Sequence, residues 1–420
     1  LEKEPDNHLA LDELGYIYYL EGYYGKALHS IEQAILINDN NKTYYYDKIM
    51  TLYEINDYIS VIDFSEITEK KFGSGSFILR YKMLSYNELG EYEKALEQAK
   101  AILELEPDNP SSYIDIAREL IYLQQYKKAK EFIEAAIKID EYNKEAKSLL
   151  GVLDEEEYSV QERIIRFIKQ NYLYKKGLDD KEEVIADFLA LEKISHLDIL
   201  EFIENVKDAE DAYTFFIPES MYQYYKNDES KIEGKYIDTD VFYIKINIFN
   251  EKTTSEFWNA LRMIENPYET ELVIDLRDNP GGTIKSGSDI IDILLPEAYF
   301  AYTIDKSGYA ETYYSSPFYY KFKNIYIFVN NKTASTSEIM VLALKEFLEN
   351  VTIIGLPTYG KGVGQLVFED RHNEFILYLT SFHWNVKEKN LGVNKITPDI
   401  KIRSDIEDDY FKSLYKILDK

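Results

Sequence analysis

"GYYGKAL" at residues 22–28 returns as "GEYEKAL" at 90–96 and as "QQYKKAK" at 124–130, on a grid of 34 residues. The grid holds at single positions. Tyr24, Tyr58, Tyr92 and Tyr126 are each 34 apart, and Ala27, Val61, Ala95 and Ala129 follow three residues behind them. "EPDN" at 4–7 recurs at 106–109, an offset of 102, or three periods. Such a period signals a stacked array, because a unit this small cannot bury its own apolar face and must close it against the next. In the second half of a unit the apolar residues fall at helical spacing, as in Leu28, Ile31 and Ile35, or Leu96, Ala99 and Leu103. The small residue behind each tyrosine lets paired helices approach closely. Four units cover about 5–142, the second (41–73) being degenerate, with "FGSGS" at 72–76 breaking it.

This period resembles the tetratricopeptide repeat. The resemblance implies an all-α solenoid over residues 1–150 with a concave surface for a substrate peptide or a partner protein. A dimerisation arm, giving a homodimer, or a plain spacer is the blander reading. The 39 tyrosines are assigned mostly to packing within the repeats. "DEEEYSVQER" at 154–163 reads as the junction, and two or three short helices are expected over 161–205, with Ile164, Ile165 and Ile168 on one side.

Composition narrows the chemistry. The 420 residues suffice for two or three domains. The net charge of −28, from 48 basic and 76 acidic residues, repels phosphate backbones and argues against nucleic acid as a partner. With no cysteine there is no thiol catalysis, disulfide or thiolate metal site. The five histidines form neither HxxxH nor HExxH, so neither a metal nor a cofactor is expected. No apolar run reaches the 18 or more residues that span a bilayer.

From about 236 the pattern turns to strands: "VFYIKINIF" (241–249), "ELVIDLR" (271–277) and "NIYIFVN" (324–330). Helical stretches at 255–265, 286–294 and 337–349 lie between them, which argues for an α/β domain over 236–420. Two glycine-rich loops follow strands. "DLRDNPGG" (275–282) forces a tight turn whose adjacent amides can face an oxyanion, although a bare PGG is more often only a turn. "TYGKGVGQ" (358–365) is not a phosphate-binding GxxxxGK[ST] loop, since Gly362 follows Lys361. A lysine between two glycines can be desolvated, which lowers its pKa and frees a neutral amine as a base. "NKTASTSEIM" (331–340) offers hydroxyls for such a base to activate.

These segments resemble the S41 serine peptidases, the C-terminal (tail-specific) processing family. "DLRDNPGG" matches its DLRxNPGG, "NKTASTSEI" its (S/T)ASASEI, "GLPTYGKGVGQ" its GxxTxGKGxxQ and "KITPDIKI" (395–402) its GIxPD, with Lys395 where glycine is usual. "DAYTFFIPESMY" (211–222) is similar to the family's DPYTxYLxPEEY, with Ala212 for proline. The resemblance implies a ClpP/crotonase-like core in which Ser335 is the nucleophile, Lys361 the base and Gln365 the residue that holds the lysine. The oxyanion donors would be the backbone amides of Thr336 and of Gly281 or Gly282. Thr336 replaces the usual alanine, so its branched side chain is expected to crowd the hole. The Ser335–Lys361 segment is one residue longer than usual, near 349–351. Ser337 is the rival nucleophile, more readily read as a helix cap. Arg277 and Asp275 are read as bracing their loop, and His372 and His383 as ordinary strand or edge residues.

Most relatives carry a PDZ domain after the "PYxxYLxPEEY" segment. Here 223–240 is too short for one, which leaves the repeats as candidates for presenting substrate. Residues 155–235 are taken as the helical N-terminal part of the peptidase. The expected function is endopeptidase cleavage of exposed or unfolded polypeptide by a Ser–Lys dyad, at apolar positions near a C-terminus. The alternative is an inactive S41-like scaffold acting through its repeats. The first residue, Leu1 instead of Met, together with the family resemblance, suggests work outside the cytoplasm after loss of an upstream signal or anchor.

Overall fold

The computed structural model describes residues 7–153, 158–174, 180–226, 232–387, 389–390 and 395–420. It opens with antiparallel helix pairs: α1 (His8–Leu20) with α2 (Tyr24–Ile37), α3 (Lys42–Glu54) with α4 (Tyr58–Phe72), α5 (Ser76–Glu88) with α6 (Tyr92–Leu105), and α7 (Pro110–Tyr122) with α8 (Tyr126–Ile139). The 34-residue grid is this pairing. Ala27, Val61, Ala95 and Ala129 are fully buried where the second helix of each pair meets the first. Asn7, Asn41 and Asn109 each cap a first helix by accepting a backbone N–H, and Pro110 adds its fixed φ at the start of α7. The second unit is not broken at 72–76. Gly73, with φ of 83°, ends α4, and α5 begins three residues on, so "FGSGS" is the connection between units. A further helix, α9 (Lys144–Leu153), closes the stack over the buried Ala146. Residues 154–157 of the expected junction lie outside the described residues.

The solenoid is docked rather than free. The first turn of α2 and the connectors within the next three helix pairs each meet the C-terminal half of the chain. A Cβ on Gly25 would stand 2.1 Å from Phe318 Cζ. Trp258 Nε1 donates to Ile55 O at 2.8 Å. Lys252 pairs with Glu91 at 3.3 Å, and Gln124 Nε2 donates to Glu369 O at 2.8 Å. Ile49, Leu52, Ile55, Val61 and Ile78 share one apolar cluster with Phe257, Trp258 and Leu261.

Next come α10 (Val160–Asn171), α11 (Glu182–Leu189) and α12 (His196–Val206), then β1 (Phe215–Ile217), α13 (Glu219–Lys226) and β2 (Glu233–Asp238). Ile164, Ile165 and Ile168 do share one face, packed with Phe202 and Ile203. The segment 155–235 is not wholly helical, because the short strand β1 is drawn into a sheet and β2 begins before its end.

The remaining elements are β3 (Val241–Lys245), α14 (Thr253–Leu261), β4 (Glu271–Asp275), α15 (Ile284–Leu294), β5 (Ala298–Asp305), β6 (Ala310–Ser315), β7 (Asn324–Val329), α16 (Thr336–Phe347), β8 (Val351–Gly355), β9 (Val363–Asp370), β10 (Phe375–Val386), β11 (Lys389–Asn390), β12 (Ile400–Lys401) and α17 (Glu407–Ile417). One sheet runs β12-β8-β7-β4-β3-β2, parallel except for the edge strand β2. Its interior strands are continuous apolar runs buried on both faces, as parallel strands must be. The other sheet is antiparallel and built on the long β10, which pairs with β1, β5, β9 and β11. β3 stops at Lys245 instead of continuing to Phe249, because the chain beyond turns to bridge Gly282. Loops 276–283, 330–335 and 356–362 all leave the same carboxyl edge of the parallel strands β4, β7 and β8, where such sheets build sites.

Candidate active site

The loop after β4 and the loop after β7 are stitched together by Asn279, which is fully buried. Its Nδ2 donates to Ile246 O at 2.9 Å, its Oδ1 accepts from Gly281 N at 2.9 Å, and its carbonyl accepts from Ala334 N at 3.0 Å. Gly281 is thereby pressed against the start of α16, where a Cβ would come within 2.8 Å of Ser335 Cβ. Gly282 has φ of 137°, and a Cβ there would lie 1.9 Å from Phe249 O, so only glycine fits.

Ser335 sits immediately before α16 with φ of 56° and ψ of −123°, a backbone state that a serine rarely holds unless its surroundings impose it. It is half-buried. Ser337 is fully buried in the first turn of α16, its hydroxyl donating to Asn279 O at 3.3 Å. It therefore sits inside the helix and not at its cap. Thr336 does not crowd the space in front of Ser335. Its methyl lies over Gly287, where a Cβ would be 2.2 Å from Thr336 Cγ2, and its hydroxyl donates to Gly282 O at 3.0 Å. Gly281 N–H is taken by Asn279, whereas neither Gly282 N–H nor Thr336 N–H has a hydrogen-bond partner among the described residues. The Thr336 amide directly follows Ser335, Gly282 directly follows the Gly281 that abuts Ser335, and the positive end of the α16 dipole lies at the same place.

Lys361 is half-buried in the loop after β8. Burial pushes its pKa below the usual lysine value, while the charges of Glu338 and Asp211 partly offset this. Its Nζ donates to Gln365 Oε1 at 2.6 Å and lies 5.2 Å from the centre of the Tyr213 ring. Gln365 Nε2 in turn donates to Tyr213 O, which fixes which amide atom faces the lysine. No hydrogen bond joins Lys361 Nζ to Ser335 Oγ among the described residues.

Glu338 connects the two loops. It is fully buried, and its carboxylate accepts from Ser335 N at 3.0 Å, Lys361 N at 2.9 Å, Gly360 N at 2.7 Å and Thr358 Oγ1 at 2.6 Å. Four donors satisfy a charge that burial alone would make untenable. One side chain thus sets the spacing of the serine and lysine backbones. Neither Glu338 nor Asn279 received a role from the sequence reading. For Glu338 a signal existed, since Ser-x-x-Glu at 335–338 is the spacing of a helix capping box. Asn279 had none beyond its place between two motif residues.

Asp275 and Arg277 form a buried pair at 2.6 Å beneath the loop, with Tyr243 OH donating to Asp275 Oδ2 at 2.5 Å. Among the described residues no group of three or more histidine, aspartate or glutamate side chains is placed to hold a metal ion.

Residues 240–402 match peptidase family S41, and residues 10–41 and 86–153 match tetratricopeptide repeats. A carboxyl-terminal-processing protease of Synechocystis sp. is 34% identical over 129 residues, covering 31% of this chain and 30% of that protein. The carboxy-terminal processing protease CtpB of Bacillus subtilis is 31% identical over 189 residues, covering 44% of this chain and 37% of that protein. The chain thus spans about a third of the length of these relatives. Among solved structures, a lipoprotein from Streptococcus agalactiae aligns with a TM-score of 0.51 at 18% identity, covering 62% of this chain and 94% of that one, which is a likeness of fold.

Proposed function

We propose that this chain, whose residues 240–402 belong to peptidase family S41 and whose N-terminal helices are tetratricopeptide repeats, is a serine endopeptidase of the C-terminal processing type. The observation that carries this reading is the Glu338 carboxylate, which ties Ser335 N–H to Lys361 N–H and so couples a nucleophile's loop to a base's loop. The neutral Lys361 amine has one lone pair. With an N–H donated to Gln365, that lone pair is free to take the Ser335 proton, a contact that closes as substrate enters.

Ser335 Oγ then attacks the peptide carbonyl, whose π electrons move onto oxygen. The oxyanion is held by Gly282 N–H and Thr336 N–H, two donors already oriented before reaction. Lys361 passes its proton to the leaving amine, the C–N bond breaks, and an acyl-Ser335 ester remains. Water, deprotonated by the same amine, hydrolyses that ester and restores both residues. The substrates are exposed or unfolded polypeptides, and the repeats give a surface for substrate or for a partner protein.

The test is cleavage of casein from about pH 6 to about pH 10 by wild type and by Ser335→Ala, Lys361→Ala and Ser337→Ala. Loss of cleavage in the first two variants and its retention in the third supports the dyad. Cleavage by Ser335→Ala at the wild-type rate rejects it, and a wild type inert at every pH favours a scaffold acting through its repeats.

A further inference from the structure

Helix α15 begins two residues after Gly282, and its Gly287 lies against the Thr336 methyl. This one helix therefore adjoins both residues whose N–H groups are unpaired among the described residues, Gly282 through the chain and Thr336 through the Gly287 contact. Two residues beyond Gly287 is Asp289, whose side chain is only 14% exposed. A carboxylate so enclosed must be held by donors. Two come from its own half of the chain: Lys285 Nζ at 3.1 Å and Thr254 Oγ1 at 3.1 Å. The third is Asn56 Nδ2 at 3.2 Å, from the connector between α3 and α4 in the second repeat.

Asn56 is itself immobilised. Its backbone is in the left-handed region, with φ of 59°. Its Oδ1 accepts from Tyr58 OH at 2.6 Å, and that hydroxyl also accepts from Lys285 Nζ at 3.0 Å, closing a ring of four side chains across the junction. Around the ring, Trp258 Nε1 donates to Ile55 O at 2.8 Å and Arg262 pairs with Asp57, which is fully buried. From Asp289 back to Gly282 is about two turns of backbone, or roughly 10 Å, and most of it is rigid helix. A shift at Asn56 is carried along that helix to the oxyanion donors.

We propose that Asn56 is a positioning residue of the peptidase: by gripping Asp289 it places α15, and through α15 the Gly282 and Thr336 amides. This rests on the reading of Ser335 as nucleophile with those amides as its oxyanion donors. The second repeat then serves catalysis on every substrate, including one too short to touch the concave face of the solenoid.

The experiment uses the full chain and a short chromogenic peptide substrate. Asn56→Gly keeps the left-handed backbone and removes only the amide. Ångström-scale misplacement near a reacting centre costs up to about a hundred-fold, so a kcat loss of about ten-fold is expected, with KM unchanged. Asn56→Asp alone sets two carboxylates face to face and is slower still. The reciprocal pair Asn56→Asp with Asp289→Asn reverses donor and acceptor across the same gap and restores kcat to within about three-fold of wild type. A general loss of packing would lower the melting temperature without this pattern of kcat loss and rescue. Wild-type kcat in Asn56→Gly, or a reciprocal pair as slow as Asn56→Asp alone, overturns the proposal while leaving the dyad standing. Wild-type turnover by Ser335→Ala overturns both.

Discussion

Replacing Glu338 by glutamine probes the site at the carboxylate that joins its two loops. Each Glu338 oxygen accepts two hydrogen bonds: Oε1 from Thr358 Oγ1 and Gly360 N, and Oε2 from Ser335 N and Lys361 N. Glutamine keeps one oxygen. Its better orientation leaves that oxygen on Ser335 and Lys361 and turns the NH₂ toward Thr358 and Gly360. The two retained bonds lose their charge assistance, about 1 kcal/mol each, and the stranded Gly360 N–H costs about 1–3 kcal/mol. The sum, about 3–5 kcal/mol, is a large part of a domain stability of about 5–15 kcal/mol. Urea unfolding should show it directly as a lower midpoint with an unchanged slope. Activity carries a second signature. The Glu338 charge raises the Lys361 pKa, so its removal lets that pKa fall further, and the rising limb of the pH–kcat profile should move to lower pH. A stability loss below about 1 kcal/mol, or a limb that moves to higher pH, would refute this account of the carboxylate.

Gly282→Ala should cut kcat by at least about a hundred-fold, since the new methyl would meet Phe249 O and push the loop, with its N–H, off station; steady-state kinetics of a folded variant would show it. Thr336→Ala should lose about 1 kcal/mol of stability with its Gly282 hydrogen bond yet keep kcat within about ten-fold, because the proposed donor is the backbone amide; a larger kcat loss would mean that the hydroxyl holds the hole in shape. Lys361→Met should be inactive but more stable than wild type at neutral pH. The folded lysine has a lowered pKa, so the native state binds fewer protons than the unfolded one between that pKa and the usual lysine value. Wild-type stability therefore rises with pH across that window, and the advantage of the methionine should shrink toward its upper end; a pH-independent difference in unfolding free energy would contradict the burial of the charge.

The core residues of the solenoid were legible because their determinants are local and repeated. Ala27, Val61, Ala95 and Ala129 announce a helix pair wherever they recur, and all four are buried as their spacing requires. The second unit was misjudged for the opposite reason. "FGSGS" looks like a break when read alone, but Gly73 only ends α4, and the tertiary stack re-forms the next pair at once. The strands around 241, 271 and 324 were readable from apolar runs. The short β1 was not, since three residues hold a strand only when β10 is there to pair with them.

At the site, residue types offered a lysine and several hydroxyls, and it was the resemblance of the motifs to family S41 that implied Ser335, Lys361, Gln365, Thr336 and the two glycines. Linear order left Gly281 and Gly282 open, and the proposal of Gly282 turns on Asn279 occupying the Gly281 N–H, a fact of loop folding. It also misjudged Thr336, whose side chain finds room only because Gly287 arrives from another helix. The sequence by itself determined the repeat period, the α/β order and the chemical inventory, all of which depend on neighbours a few residues apart. The tertiary structure alone decided that the solenoid shares a core with the α/β domain, that Glu338 clamps two loops 23 residues apart, and that Asn56 reaches Asp289 across 233 residues. Those contacts are short in space and long in sequence, and a hydrogen bond depends only on the first of these distances.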